Sequence, residues 1–122
     1  MEDRHNTGRE GEDLACRYLR DNGHRILARN YRYGHLELDI ISLDGNGIHF
    51  VEVKTRRPPL QAMPQEHVGY RKQANLIKAA NHYLNTHAPG GALECHFDII
   101  AIVLDKTTTL EYIQNAFIPI FL

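Results

Sequence analysis

Asp39, Glu52 and Lys54 stand inside two strongly apolar runs, Leu36-Glu37-Leu38-Asp39-Ile40-Ile41 and Phe50-Val51-Glu52-Val53-Lys54. Two carboxylates and an amine gathered at one edge of a sheet can hold Mg²⁺ (or Mn²⁺) beside a phosphodiester. Such an ion takes oxygen ligands from one or two carboxylates and fills its octahedron with water and phosphate oxygens. It can polarise the scissile phosphate and activate a water. Lys54, two residues beyond Glu52, would stabilise the negative charge that builds in the transition state. This is the chemistry of a nuclease.

The elements that must position these residues form a hairpin around Asp44-Gly45-Asn46-Gly47. With Gly45-Asn46 as a two-residue type II′ turn, Asp39 lies opposite Glu52 and Glu37 opposite Lys54. Turns at Asp44-Gly45 or Asn46-Gly47 move the register by two residues. Side chains alternate with period two, so each choice keeps Glu37, Asp39, Glu52 and Lys54 on one face. Directly opposed carboxylates, with Cβ atoms about 5 Å apart, repel and call for a compensating charge. A solvated face carrying Glu-Lys or Asp-Lys pairs is the plainer alternative. Against it, Ile41 and Phe50 share the charged face while Leu38, Ile40, Val51 and Val53 fill the other. Both faces then read as largely buried, where a charge is costly unless paired or metal-bound.

Around the hairpin, Thr7-Gly8-Arg9-Glu10 has the form of a capping box and precedes Leu14, Ala15, Tyr18 and Leu19 at helical spacing, with Gly23 as the stop. A first helix is expected over 8–22. Residues 25–33 read as a first strand, followed by the two runs as strands two and three. Arg57-Pro58-Pro59 through Pro64 is expected to be an irregular, mobile surface loop. Leu76, Ile77, Ala80, Tyr83 and Leu84 mark a second helix over about 67–86, ended by Pro89-Gly90-Gly91. His96–Leu104 reads as a central buried strand and 109–114 as a last one. The order is α-β-β-β-α-β-β, and 122 residues suit one domain spanning 1–122.

Composition excludes several classes. Hydrophobic content of 43% with 24% charged residues fits a globular protein. Cys16 and Cys95 make neither a disulfide framework nor a zinc-ligand string, which fits a reducing cytoplasm. No stretch approaches the roughly 20 apolar residues that span a bilayer, so no membrane partner is expected. The eight histidines are scattered, and none has a recognisable partner. Net charge is −1, yet residues 17–35 carry five Arg against one Asp, and 53–78 carry six Lys/Arg against one Glu. That segregation can create a basic face on a nearly neutral protein, or it is ordinary surface charge. Arg56, Arg57, Arg71 and Lys72 are candidate phosphate contacts, and Gln73 could touch a phosphate or serve as a helix cap. Glu12 lies at the border of the first helix's apolar stripe, where it could lean toward the sheet or pair with Arg9 at the surface. The apolar tail Ala116-Phe117-Ile118-Pro119-Ile120-Phe121-Leu122 could pack on its own sheet or cover a partner.

Gly11-Glu12 opening a helix, Glu37-Leu38-Asp39-Ile40-Ile41, and Phe50-Val51-Glu52-Val53-Lys54-Thr55-Arg56 together resemble the bacterial YraN family. That family is similar to the Holliday-junction resolvase branch of the PD-(D/E)XK nucleases. The match runs through Gln73 to Phe97-Asp98. It departs at Leu36, where the family usually has Gly; here Gly34 comes two residues earlier. The resemblance implies an α/β fold with a restriction-endonuclease-like αβββαβ core and a central mixed sheet flanked by helices. It implies metal ligation by Asp39, Glu52 and the Val53 carbonyl, with Lys54 as the catalytic lysine and Glu12 as the helix-one glutamate. It further implies an Mg²⁺-dependent endonuclease acting on DNA, including branched DNA, and a homodimer where cutting is symmetric. The alternative is a DNA-binding or protein-interaction module that keeps the fold and does not cut.

Overall fold

A computed structural model describes residues 4–59, 68–87 and 93–119. The elements are α1 (Arg4–Asp21), β1 (Arg25–Tyr33), β2 (Leu36–Asp44), β3 (Gly47–Arg56), α2 (Tyr70–His87), β4 (Cys95–Val103) and β5 (Thr109–Phe117). The strands form one mixed sheet in the order β1-β2-β3-β4-β5. Only β3 and β4 run parallel, and α2 lies in the connection that a parallel pair needs. The architecture is the expected α/β one, with a central mixed sheet between two helices and the αβββαβ order of a restriction-endonuclease-like core. Among the described residues no helix is long and apolar enough to cross a membrane.

Each helix buries its apolar stripe on one face of the sheet. On the α1 side, Ala15, Cys16 and Leu19 pack with Ile40, Val51, Ile100 and Ile102. On the α2 side, Leu76, Ala79, Ala80 and Tyr83 pack with Ile41, Phe50, Phe97 and Ile99. Burying one such large side chain contributes about 2 kcal/mol, so the two clusters hold the sheet from both faces. The first half of the tail joins this core, with the Phe117 ring stacked on Phe97 at 4.8 Å, while Ile118 is 81% exposed.

Local differences from expectation have identifiable causes. Helix α1 starts at Arg4, so Thr7 lies inside the helix and is not its cap. Thr7 Oγ1 and Glu10 Oε2 instead both accept hydrogen bonds from Arg57, at 3.0 and 2.7 Å. The helix ends as expected at Gly23, whose φ of 88° allows a Schellman closure: His24 N–H donates to the Leu19 carbonyl and Gly23 N–H to that of Arg20. The β1–β2 turn is Gly34-His35, and the left-handed φ of 61° at Gly34 explains why Leu36 can already begin the strand. The β2–β3 loop is the two-residue Gly45-Asn46, closed by the pair Asp44 and Gly47. It is not type II′, because Gly45 is not left-handed. Asp44 Oδ1 accepts the Asn46 N–H at 2.9 Å, so a side chain shapes the turn. Strand β5 runs three residues past the expected end, and α2 begins at Tyr70. The loop residues 60–67, the Pro89-Gly90-Gly91 stop and residues 120–122 lie outside the described residues.

One departure bears on function. Strict alternation puts Leu38 on the face of Ile40, but Leu38 packs on the α2 side and Ile40 on the α1 side. The pleat breaks between them, at Asp39. Across the sheet β1 presents Asn30, between the pairs Arg29–Ile40 and Tyr31–Leu38, and Asn30 has a φ of 52°. A left-handed residue opposite Asp39 is the local cause of the break. The four charges therefore do not share one flat face.

Candidate functional site

The β2–β3 ladder is paired from Asp44–Gly47 up to Ile40–Val51 and then opens. Beyond that point β3 stays paired with β4 as far as Arg56, so β2 is the strand that splays away. Where the next backbone partner would be, Asp39 Oδ2 accepts the Val53 N–H at 2.8 Å. The side chain thus satisfies a backbone donor exposed by the splay and is fixed beside β3.

Between α1, the splayed strands and the start of α2 lies a cleft of about 830 Å³ lined by Glu12, Asp39, Glu52, Val53, Lys54, Arg56, Arg57 and Lys72 among others. At its centre the carboxylates of Asp39 and Glu52 lie side by side and repel one another. Among the described residues, Glu52 Oε2 is buried without a hydrogen-bond partner. Lys72 Nζ lies 3.6 Å from that oxygen, close enough to attract it and too far to hydrogen-bond. Burial first, and the adjacent Glu52 carboxylate second, push the Asp39 carboxyl up to about 8. The Val53 N–H and Lys72 oppose that shift without cancelling it. The Glu12 carboxyl is also raised, by burial and then by Asp39, although Arg29 Nη2 lies 3.7 Å away. A divalent cation fits this donor set. It would occupy the orphaned oxygen and relieve the mutual repulsion.

Helix α1 reaches the cleft because Gly11 lets it. A Cβ on Gly11 would lie 1.9 Å from Thr55 Oγ1, so helix and strand are closer than any side chain allows. The following residue, Glu12, is thereby brought within the electrostatic reach of Asp39.

The expected phosphate contacts divide. Arg56, Arg57 and Lys72 line the cleft, although Arg57 is held by α1 through Thr7 and Glu10. Arg71 is exposed and stands apart from it. Gln73 also stands apart: its Nε2 donates to the Val68 carbonyl at 2.6 Å, and its N–H to that of Gly69, in the first turn of α2. Glu37 pairs at 3.4 Å with the exposed Arg32.

A second polar cluster escaped the sequence reading. His24, Ser42, Asp44, His49, Asp98 and Tyr112 meet at the other end of β2 and β3. His49 Nδ1 lies 2.7 Å from Asp98 Oδ2 and its Nε2 lies 2.8 Å from Asp44 Oδ1. A legible signal existed. The hairpin register sets His49 opposite Ser42 and next but one to Asp44, and an Asp inside the apolar run of β4 requires a partner.

The α/β sheet with a carboxylate-lined cleft at splayed strand ends is compatible with a restriction-endonuclease-like core. Residues 11–102 match the model of "Uncharacterised protein family UPF0102", the YraN family, and the chain belongs to it. It is 42% identical over 120 residues to a UPF0102 protein of Chlorobium phaeobacteroides, covering 93% of this chain and 94% of that one. A UPF0102 protein of Chlorobium limicola is 43% identical over 122 residues, with 94% of each chain covered. One from Nitratidesulfovibrio vulgaris is 44% identical over 115 residues, covering 93% and 85%.

Proposed function

We propose that the protein is a divalent-metal-dependent endonuclease that hydrolyses DNA phosphodiester bonds, branched or otherwise structured DNA included. The observation that carries this reading is the Asp39–Glu52 pair: one carboxyl pushed up to about 8, the other with a buried oxygen that has no hydrogen-bond partner among the described residues, both lining one cleft with Lys54. Asp39, Glu52 and the Val53 carbonyl would hold Mg²⁺ or Mn²⁺. When bound, such an ion supplies Lewis-acid polarisation of a phosphoryl oxygen and a water of lowered pKa.

The chain's own groups do the rest. Lys54 places an ammonium in the cleft, suited to a non-bridging oxygen as charge builds on it. Water attacks phosphorus in line, and the P–O bond opposite breaks. Glu12, its carboxyl raised by burial and by Asp39, holds or passes a proton at the cleft's α1 wall. Arg56 and Lys72 neutralise backbone phosphates and position the strand without reading its bases. Symmetric cutting of a four-way junction needs two such clefts, so junction resolution goes with a homodimer.

The test is cleavage of end-labelled four-way junctions, flaps and linear duplex with Mg²⁺ or Mn²⁺. Asp39→Asn and Glu52→Gln should each abolish product while leaving the fold intact by circular dichroism. Binding of all three DNAs by the wild type with no cleavage under either metal would refute the enzymatic reading and leave the non-cutting module.

A further inference from the structure

From the second cluster we propose a separate transition-metal site formed by His24 Nε2, Asp44 and His49 Nε2, taking a borderline dication such as Zn²⁺. The three ligand atoms lie within 4.8 Å of one another. His24 Nε2 is 3.3 Å from Asp44 Oδ2, and His49 Nε2 is 2.8 Å from Asp44 Oδ1. Bonds of about 2.0 Å at tetrahedral angles give ligand–ligand edges of about 3.3 Å. The two contacts use different oxygens of Asp44, so a bound ion would draw the set together from its 4.8 Å spread as the His49–Asp44 hydrogen bond is replaced.

The feature that separates this cluster from a chance meeting of polar groups is what holds the other ring nitrogens. His24 Nδ1 is 2.9 Å from Ser42 Oγ, and His49 Nδ1 is 2.7 Å from Asp98 Oδ2. Asp98 is itself fixed. The Tyr112 hydroxyl donates to Oδ2, and the Asn115 N–H donates to Oδ1 at 2.9 Å. Both imidazoles are 97% buried and aimed by their Nδ1 partners, so both Nε2 atoms converge on one carboxylate. Orientation of a ligating histidine by a carboxylate or hydroxyl behind it is the usual support of a metal site. Asp44 is anchored as well, through the Asn46 N–H, and its side chain is 16% exposed, which leaves an approach and a solvent-facing fourth position.

The charge balance favours the exchange. A His49 that faces carboxylates through both nitrogens carries a proton on each. With Asp44 and Asp98 ionised and His24 neutral, the pocket then holds one net negative charge. A dication entering at Nε2 displaces one proton to solvent, leaves Nδ1–H on Asp98, and makes the pocket neutral. The ion would tie the residue after the α1 stop to both strands of the hairpin. Asp44 is five residues from Asp39 along β2, about 17 Å by strand rise, so the two sites are independent.

The experiment uses the full chain, stripped with chelator, and Co²⁺ as a spectroscopic probe with Zn²⁺ as competitor. The Asp39→Asn/Glu52→Gln double variant silences the cleft. It should still bind one equivalent of Co²⁺ with the intense visible bands of a four-coordinate nitrogen-containing site, and Zn²⁺ should bleach them. In that background, Asp44→Asn and His49→Gln should each weaken Zn²⁺ by at least about 30-fold. Asp44→Asn keeps an oxygen for the Asn46 N–H, so it decides the matter if His49→Gln does not fold. Failure of the double variant to bind either ion overturns the proposal. So does binding that is unchanged by Asp44→Asn. Neither result touches the nuclease reading, which the DNA assay tests separately.

Discussion

Replacing Asp39 by Asn should stabilise the metal-free protein while removing its activity. Asp39 has its ordinary value of 3.8 raised to about 8, chiefly by burial and then by Glu52. A folded-state value above the unfolded one means that the fold favours the protonated form. The contribution is complete below pH 4 and is lost progressively as pH rises toward 8. At pH 7 about three units separate the ordinary value from the solution, at about 1.4 kcal/mol each, which sets a ceiling near 4 kcal/mol. Water entering the open cleft screens part of this, and a gain of about 2 kcal/mol is the working figure. An asparagine meets both local demands: its amide oxygen accepts the Val53 N–H, and its amide nitrogen can donate to Glu52. In a domain of this size each kcal/mol moves Tm by about 4 °C, so Asp39→Asn should melt about 8 °C higher in EDTA at pH 7. Thermal unfolding followed by circular dichroism at pH 4.5, 6 and 7.5 is the assay. The gain should shrink toward zero at pH 4.5, and saturating Mg²⁺, an ion for oxygen ligands and not for imidazoles, should stabilise only the wild type. A gain of equal size at all three pH values, or a loss at pH 7.5, would refute the ionisation argument.

Other perturbations separate the roles of the remaining residues. Lys54→Ala should lower single-turnover cleavage by about 10²- to 10³-fold, the usual cost of one transition-state donor, with Mn²⁺ affinity by calorimetry unchanged. Gly11→Ala places a Cβ 1.9 Å from Thr55 Oγ1 and should cost about 1–3 kcal/mol in urea unfolding. It should also reduce cleavage in the folded fraction, because Glu12 moves with the helix. Asp98→Asn leaves His49 against a neutral partner and should cost about 3–5 kcal/mol by denaturant melts. The Asp98 carboxyl, despite burial, is lowered by its hydrogen bonds from His49, Tyr112 and Asn115. Its contribution is therefore present above the ordinary range and lost as pH falls through the depressed value. The wild type should accordingly lose an acid-side margin that the variant lacks.

What was legible in the sequence follows the range of the forces involved. Helices and strands came from periodicity, because burial of stripes such as Ala15-Leu19 and Leu76-Ala80 is written in one stretch of chain. The hairpin register was also legible, since a two-residue loop leaves few pairings and Asp44–Gly47 is one of them. The flat charged face was not. It assumed an unbroken pleat, whereas the break at Asp39 depends on Asn30 of a different strand. The splay then exposes the Val53 N–H, and Asp39 is the group that satisfies it. Long-range polar partners were equally hidden. Thr7 and Glu10 have the pattern of a cap, yet Arg57, some fifty positions on, takes both. Buried charge made the candidate cleft easier to find than the His24–Asp44–His49 cluster. A carboxylate in an apolar run looks wrong at once, while a histidine passes as ordinary until its second nitrogen is accounted for. Here each of two histidines has one nitrogen held by a buried neighbour and the other aimed at Asp44. The hairpin thus carries two polar centres, one at each end of β2. At the Asp39 end the sheet is open, and charge gathers in a cleft of about 830 Å³. At the Asp44 end the sheet is closed and nearly dry, and the same strands offer room for little more than an ion.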